Sequence, residues 1–558
     1  MQKTTYRNES TIIFDFNKIE FKTSSEILSS GEFAKLLKLY IEDLHDSSIF
    51  LYNYITKVEN HVEELNNTLR KLLVFSPNEI DNYYCKDLTS LERVVDGIYN
   101  YYKSHNRYLV TSVEGCKTYH NFVNIGDEFG DLVLKTYRKL TEQIKGRKNN
   151  IYRQLQAGVN ASVLTRVEET YLPSEYQKIK DIKFIDTLVL TTPLILHSKS
   201  NKRTGMFSRT DVNPISYFDE NIDEFYVYPA KIGSLTCYLY FHQDFIGNAI
   251  ALSNLFEFAT AAECQSSPDL IVLFGVHNDK DETVYYHDEE NDLFVGSISY
   301  SEQIDYFGYM KKMCLTLHNL KMMTLGNLPI HGAFVDVYLK NGNHKSVMLM
   351  GDSGAGKSET IEALQSNFAD QIANIDIIFD DMGVIKVENG RCYGYGTEIG
   401  AFIRLDDLDE GTPYRDIDRS IFMNTDQSNA RVVLPVASYE LINKPHKIDM
   451  LLYANNYTDK CGIKQFKADD DNLKSPFVEG KRMALGTTDE TGITTTYFAN
   501  PFGPMQEQEM CDGLINKVFE TLSENETVIG EAYTHLGLND DSNSLKEVAK
   551  QIINFINN

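Results

Sequence analysis

Residues 349 to 364 read LMGDSGAGKSETIEAL, and the spacing Gly351-x-x-x-x-Gly356-Lys357-Ser358 is that of a loop that cradles phosphate. Gly351, Gly354 and Gly356 permit turns and close approach that a Cβ would block, so successive backbone N–H groups can face one concavity. Lys357 adds a mobile cation for the outer phosphates, and Ser358 offers a hydroxyl to the magnesium that accompanies a nucleotide. Asp352, Ser353, Ala355 and Glu359 are expected to line the same nucleotide site. About twenty residues further on, at the usual place for a second acidic element, IDIIFDD puts Asp380 and Asp381 directly after an apolar run. Read as the end of a strand, this pair offers one carboxylate to Mg²⁺ or Mn²⁺ and one to orient water or take a proton.

Those residues need elements to hold them. LPIHGAFVDVYL, the turn KNGNH and KSVMLMG read as a hairpin feeding the loop, and SETIEALQSNF as the helix whose N-terminus receives phosphate. Upstream, KFIDTLVLTTPLIL, EFYVYPA, SLTCYLYF and DLIVLFGV are short β-rich runs between turns, the texture of an α/β region. Before them, EFAKLLKLYIEDL and NHVEELNNTLRKLLVF repeat apolar residues at i, i+3, i+4 and i+7, which predicts amphipathic helices for packing, oligomerisation or partner docking. The expected division is a mainly helical region over 1–175, an α/β region over 176–326 and a nucleotide-binding region over 327–558. The tail LNDDSNSLKEVAKQIINFINN reads as a polar loop and a closing helix, and no internal repeat is visible.

At 558 residues the chain exceeds one ordinary core. Its 42% hydrophobic and 24% charged content is that of a folded globular protein. A formal charge of −26 argues against nucleic acid or an anionic membrane as partner, because the long-range field repels both; an anionic substrate requires basic residues concentrated locally. Eight scattered cysteines without a C-x-x-C pair point to reduced thiols. With no signal-like start and no run of 18 apolar residues, a cytoplasmic location is expected.

HGAFVDV, GDSGAGKSET and the paired aspartates resemble HPr kinase/phosphorylase, while YFGYMKKM at 306 to 313 and the following LPIH are similar to the YGGEMKKG and MPMHCSA segments of ATP-dependent phosphoenolpyruvate carboxykinase. These two families share a nucleotide-binding fold. NARVVLPV at 429 to 436, KIDMLLYANNY and KRMALGTTDETGITTTYFANPFGP extend the likeness to the carboxykinases in the correct order, and RTGMFSR at 203 to 209 is weakly similar to their TG-x-FTGR. The likeness spans residues 200 to about 535 in short islands. It implies a carboxykinase-like P-loop fold with mixed sheets, and ATP with Mg²⁺ or Mn²⁺ as cofactors. By the same matches Lys312 and His331 join Asp381 as metal ligands, Tyr306 and Lys311 contact substrate or the transferred phosphoryl, Arg431 clamps a carboxylate or phosphate, and Arg209 binds oxaloacetate.

The chain departs from both families. Ser358-Glu359 follows the kinase form of the loop, and TEIGAFIRL stands where carboxykinases have EGGCYAK, with Phe402 near the position of their lysine and Arg404 as a substitute cation. Around Arg209, Thr210-Asp211 replaces a serine-proline. Three readings therefore stay open: a carboxykinase-like enzyme turning oxaloacetate and ATP into phosphoenolpyruvate, ADP and CO₂; a kinase acting on a protein or small-molecule hydroxyl with Asp380 as base; and a non-catalytic nucleotide-binding regulator.

Overall fold

Leu37, Tyr40, Ile41 and Leu44, spaced i, i+3, i+4 and i+7, are the buried residues of the helix Gly31–Ser47, whose N-terminus is capped by Ser30 accepting from the Phe33 amide. The helix His61–Lys71 likewise buries Leu65, Thr68 and Leu69. Both meet Leu91, Val94 and Val95 of the helix Leu88–Ser104 in one apolar cluster. These elements come from a computed structural model that describes residues 5–113, 119–168, 170–200, 203, 205–278, 280, 282–405, 419–424, 430–467, 470, 472–484, 492–536 and 542–558. Thr204, Asn429, residues 485–491 and residues 538–541, which belong to stretches quoted above, lie outside the described residues.

The described chain is mixed α/β and divides into two units, Met1–Val167 with Lys183–Ile195, and Glu168–Ile182 with Leu196–Asn558. Beside its helices the first unit holds strands that the helical reading does not anticipate. Thr11–Asp15, Asn106–Ser112 and Ala161–Arg166 run parallel in sequence order, flanked by antiparallel Thr5–Arg7 and Lys183–Leu190. Between sheet and helices lies a cavity of about 180 Å³ lined mainly by apolar residues such as Phe14, Phe21, Leu36 and Phe129.

In the second unit the strands Leu235–His242, Leu270–Val276 and Leu293–Ser299 pair in parallel, with Phe225–Ile232 and Thr283–Asp288 antiparallel at either side. An eight-stranded sheet carries the glycine-rich loop. Its centre is the expected hairpin, Leu328–Leu339 against His344–Met350, in register from Gly332 opposite Met350 to Tyr338 opposite His344. Alternation along Leu328–Leu339 sends Ala333, Val335 and Val337 to a core shared with the helices Lys357–Asn367 and Ser542–Asn557. Phe334 faces a second core with Phe379, Tyr453 and Phe519. Period-two alternation thus covers both faces of the sheet.

The helix Phe307–Thr324 is buried along almost its whole length, Lys311, His318 and Lys321 included. A smaller antiparallel array pairs Gly400–Arg404 with Arg431–Pro435, and that strand with Ser420–Asn424. Among the described residues, no helix is long and apolar enough to cross a membrane.

Candidate functional site

The loop leaves the strand His344–Met350 and enters the helix Lys357–Asn367 through Gly356, whose φ is +100°. A Cβ there would meet the Thr534 side chain at 2.6 Å, so the position admits only glycine without rearrangement. Thr534 in turn donates to the Ala355 carbonyl (2.8 Å) and holds the loop from below. At Gly351 a Cβ would crowd Ala355 at 2.9 Å. The Asp352 carboxylate accepts from the Ser353 amide (2.7 Å), Arg482 Nε (3.0 Å) and Thr496 Oγ1 (3.1 Å). Burial works against this carboxylate, yet His331 and Arg482 hold its pKa below the ordinary value. Lys357 Nζ donates to the Asp352 carbonyl at 3.1 Å. Glu359 lies in the first turn of the helix.

Asp380 and Asp381 do not end a strand. They sit inside the strand Ile372–Glu388, opposite Ala333 and Gly332, because the run continues through MGVIKVE along its partner strands. Successive strand side chains diverge, and the two carboxylates serve different groups. Asp380 accepts from Ser358 Oγ at 2.9 Å, and burial pushes its pKa up to about 6. Asp381 Oδ2 takes Lys311 Nζ at 2.8 Å and Lys312 Nζ at 2.7 Å, while its Oδ1 lies 3.2 Å from His331 Nε2. Although burial opposes it, Lys311, Lys312 and His331 hold Asp381 well below the usual carboxylate range.

The adjacent lysines differ in their surroundings. Burial lowers the pKa of both, but Lys311, only 1% exposed, has a second carboxylate at Glu398 (2.9 Å) and ends well above the ordinary lysine value. Lys312 shares one carboxylate, faces the charge of Lys311, and is lowered. The His331 ring is fixed from its other side, with Nδ1 2.8 Å from the Ala499 carbonyl.

Aromatic rings wall this cluster. Phe402 has Lys311 Nζ 5.8 Å and the Arg431 guanidinium 5.6 Å from its ring centre, with Tyr306 at 6.3 Å and Phe307 at 5.0 Å. Burial raises the Tyr306 pKa against the charges of Arg431, Lys311 and Arg203. Arg404 lies directly opposite Arg431 across the strand pair, two residues from Phe402 and therefore on the same strand face.

Of the residues singled out in the sequence, Lys311, Lys312, His331, Asp381, Asp352, Lys357, Tyr306 and Arg431 are joined by these contacts and by the 3.7 Å approach of His331 to Asp352, while Asp380 and Ser358 form a pair of their own. Arg209 joins neither. Its side chain is half exposed, ion-paired to Glu507 at 3.0 Å, on a short strand beside Tyr285. Arg203 reaches the site instead, stacked 5.3 Å from Phe502, whose ring also carries Lys312 Nζ at 4.6 Å. Glu398, Arg482 and Thr496 are further members that the sequence reading passed over. All three lie in quoted segments, but their roles depend on which loop folds against which strand. Among the described residues, no three His, Cys, Asp or Glu side chains are grouped to hold a metal; the expected set joins His331 and Asp381 to an amine. Searched against known proteins, the chain matches no protein-family model and no curated sequence.

Proposed function

We propose that the protein is an ATP- and divalent-metal-dependent phosphoryl-transfer enzyme with a phosphoenolpyruvate carboxykinase-like P-loop fold, acting on oxaloacetate to give phosphoenolpyruvate, ADP and CO₂. One observation carries the reading. Ser358 of the glycine-rich loop donates to Asp380, and His331, which lies 3.7 Å from the loop's Asp352, meets Lys311 and Lys312 on the adjacent Asp381. A loop that only binds nucleotide has no use for that second half.

In this reading the loop amides and Lys357 hold the polyphosphate. Lys311, kept charged by two carboxylates, and Arg431 face the anionic substrate and the charge that builds on the transferred group. Their closeness to Phe402 supplies positive charge at a wall that itself offers none. Oxygen from Asp381, nitrogen from His331 and the amine of Lys312 would form a donor set of the kind Mn²⁺ or Mg²⁺ accepts, and the hydroxyl of Ser358, beside Asp380, would meet the cation that accompanies the nucleotide. The amine must be neutral to serve, and burial beside Lys311 lowers its pKa. A divalent cation bound there supplies neutralisation of phosphate charge and polarisation of a substrate oxygen. A cytoplasmic setting with reduced thiols belongs to the same proposal.

A second reading is a kinase for a hydroxyl acceptor, favoured by Asp380, whose pKa near 6 suits a general base. Phosphorus NMR of a reaction containing ATP, Mn²⁺ and oxaloacetate separates the two. Carboxykinase chemistry yields a phosphoenolpyruvate resonance that disappears in Lys357→Ala. ATP that binds but gives no phosphoenolpyruvate rejects the first reading and turns attention to hydroxyl acceptors.

A further inference from the structure

Two guanidinium groups border the site with no carboxylate among the described residues to neutralise them. Arg203 lies over the rings of Phe207 and Phe502, its guanidinium carbon 5.0 and 5.3 Å from their centres, and its only hydrogen bond among the described residues goes to the Gly205 carbonyl. A guanidinium packed against two rings is restrained by them while keeping N–H groups for a planar anion. Arg431 lies against Phe402, and its Nε is buried without a hydrogen-bond partner among the described residues. Neither arginine has an ion-pair partner among the described residues. The carboxylates nearby, Asp381 and Glu398, are committed to Lys311, Lys312 and His331.

The two arginines belong to one place. Phe502 carries both Arg203 and Lys312; Phe402 carries both Arg431 and Lys311; the two lysines meet on a single oxygen of Asp381. Lys311 is buried and the other three cations are half-buried, and such a surplus is costly unless an anion completes it. Burial lowers the pKa of Arg203 against the pull of Tyr309 and Tyr306, as expected of a guanidinium without a carboxylate beside it.

We infer that Arg203, not Arg209, is the substrate-binding arginine, and that together with Arg431 it clamps a small planar dianion between the Phe402 and Phe502 walls. Arg209 is instead paired with Glu507, which Tyr285 also contacts at 3.2 Å. The inference rests on the phosphoryl-transfer reading in making that dianion the substrate; the clamp itself is a statement about two arginines and their walls.

Calorimetric titration of the full chain with oxalate, and separately with inorganic phosphate, tests it, with an ATP titration run in parallel. Arg203→Met should weaken oxalate binding by about tenfold to a hundredfold, the usual loss for a charge-assisted hydrogen bond. Arg203→Lys, which keeps charge but not the planar fork, should recover only part of it. Arg209→Met should stay within about twofold, and ATP affinity should hold in every variant, which shows that each is folded. Oxalate binding that exceeds phosphate binding marks the clamp as a carboxylate site; the reverse marks it as a phosphoryl site, and both keep the clamp. Oxalate and phosphate affinities untouched by Arg203→Met, or lost in Arg209→Met instead, overturn the inference, as does a wild-type chain that binds neither anion. Anion binding that depends on Arg203 in a chain that does not bind ATP keeps the clamp and rejects the phosphoryl-transfer reading.

Discussion

Asp381 carries more of the site than any other side chain, since two ammonium groups and an imidazole share its two oxygens. Removing one partner of a buried ionic cluster leaves the others without compensation, which costs about 3 to 5 kcal/mol. Asp381→Asn is therefore expected to lower unfolding stability in urea by about that amount, and to abolish turnover. Glu398→Gln removes only one of the two carboxylates on Lys311, so it should destabilise clearly less in the same titration. Equal losses for both would show that the lysines do not depend on Asp381 as described. At this scale the sequence is partly legible. Lys311, Lys312 and His331 stand out because a recognisable order of residues surrounds them, whereas Glu398 and Arg203 are single charges within TEIGAFIRL and RTGMFSR. Nothing in their spacing says that one sits under a lysine and the other between two phenyl rings.

The hairpin and the loop it feeds follow from local rules. Alternation, a KNGNH turn and a glycine-rich stretch before a helix are signals written in neighbouring residues, and the observed register agrees with them. The position of the two aspartates is different, because a 17-residue strand is sustained by partners far away in the chain, and propensity alone places a turn at a pair of acids. Two predictions belong here. Gly356→Ala forces an L-residue to φ +100° against Thr534, so ATP affinity should fall more than about tenfold, in line with 1 to 3 kcal/mol of backbone strain. Gly326→Ala, also at positive φ but with open space around it, should leave ATP affinity intact; loss in both would implicate general unfolding.

The second prediction concerns the sheet beneath the loop. Asp336 accepts from Ser346 and lies 2.7 Å from His446 Nδ1, whose Nε2 is 2.9 Å from the Leu441 carbonyl; His344 stands 3.9 Å away. Burial raises Asp336, yet His446 and Ser346 hold its pKa below the ordinary 3.8. Burial lowers His446, yet Asp336 and the Leu441 carbonyl bring it above 6.5. The depressed carboxylate stabilises the fold above pH 3.8 and loses that contribution as pH falls through its folded pKa. The raised imidazole stabilises it below pH 6.5 and loses that as pH climbs through its folded pKa. The Tm gap between wild type and Asp336→Asn should thus be widest between those two values and narrow above them. A gap that keeps widening into alkaline pH would contradict the pairing.

For the molecule as a whole, charge separates what is global from what is local. The −26 total repels polyanions at long range, while Arg203, Arg431, Lys311 and Lys312 gather in one place. The protein should therefore pass through a heparin column unretained at low ionic strength, where surface attraction is strongest, and still bind small dianions; retention would mean that the basic surface is spread more widely. Amphipathic helices are legible in the first unit because their period is local. Its three parallel strands are not, since Thr11–Asp15 finds its partner at Asn106–Ser112, some ninety residues later, and such distant pairing leaves no periodic trace. The central claim is that the phosphate loop and the Asp381 cluster act as one carboxykinase-like site. Manganese-dependent exchange of labelled bicarbonate into oxaloacetate, in the presence of ATP and ADP, tests it most directly. Exchange by the wild-type chain that vanishes in both Lys357→Ala and Lys312→Ala is the expected result, and a chain that binds ATP yet exchanges no label contradicts the claim.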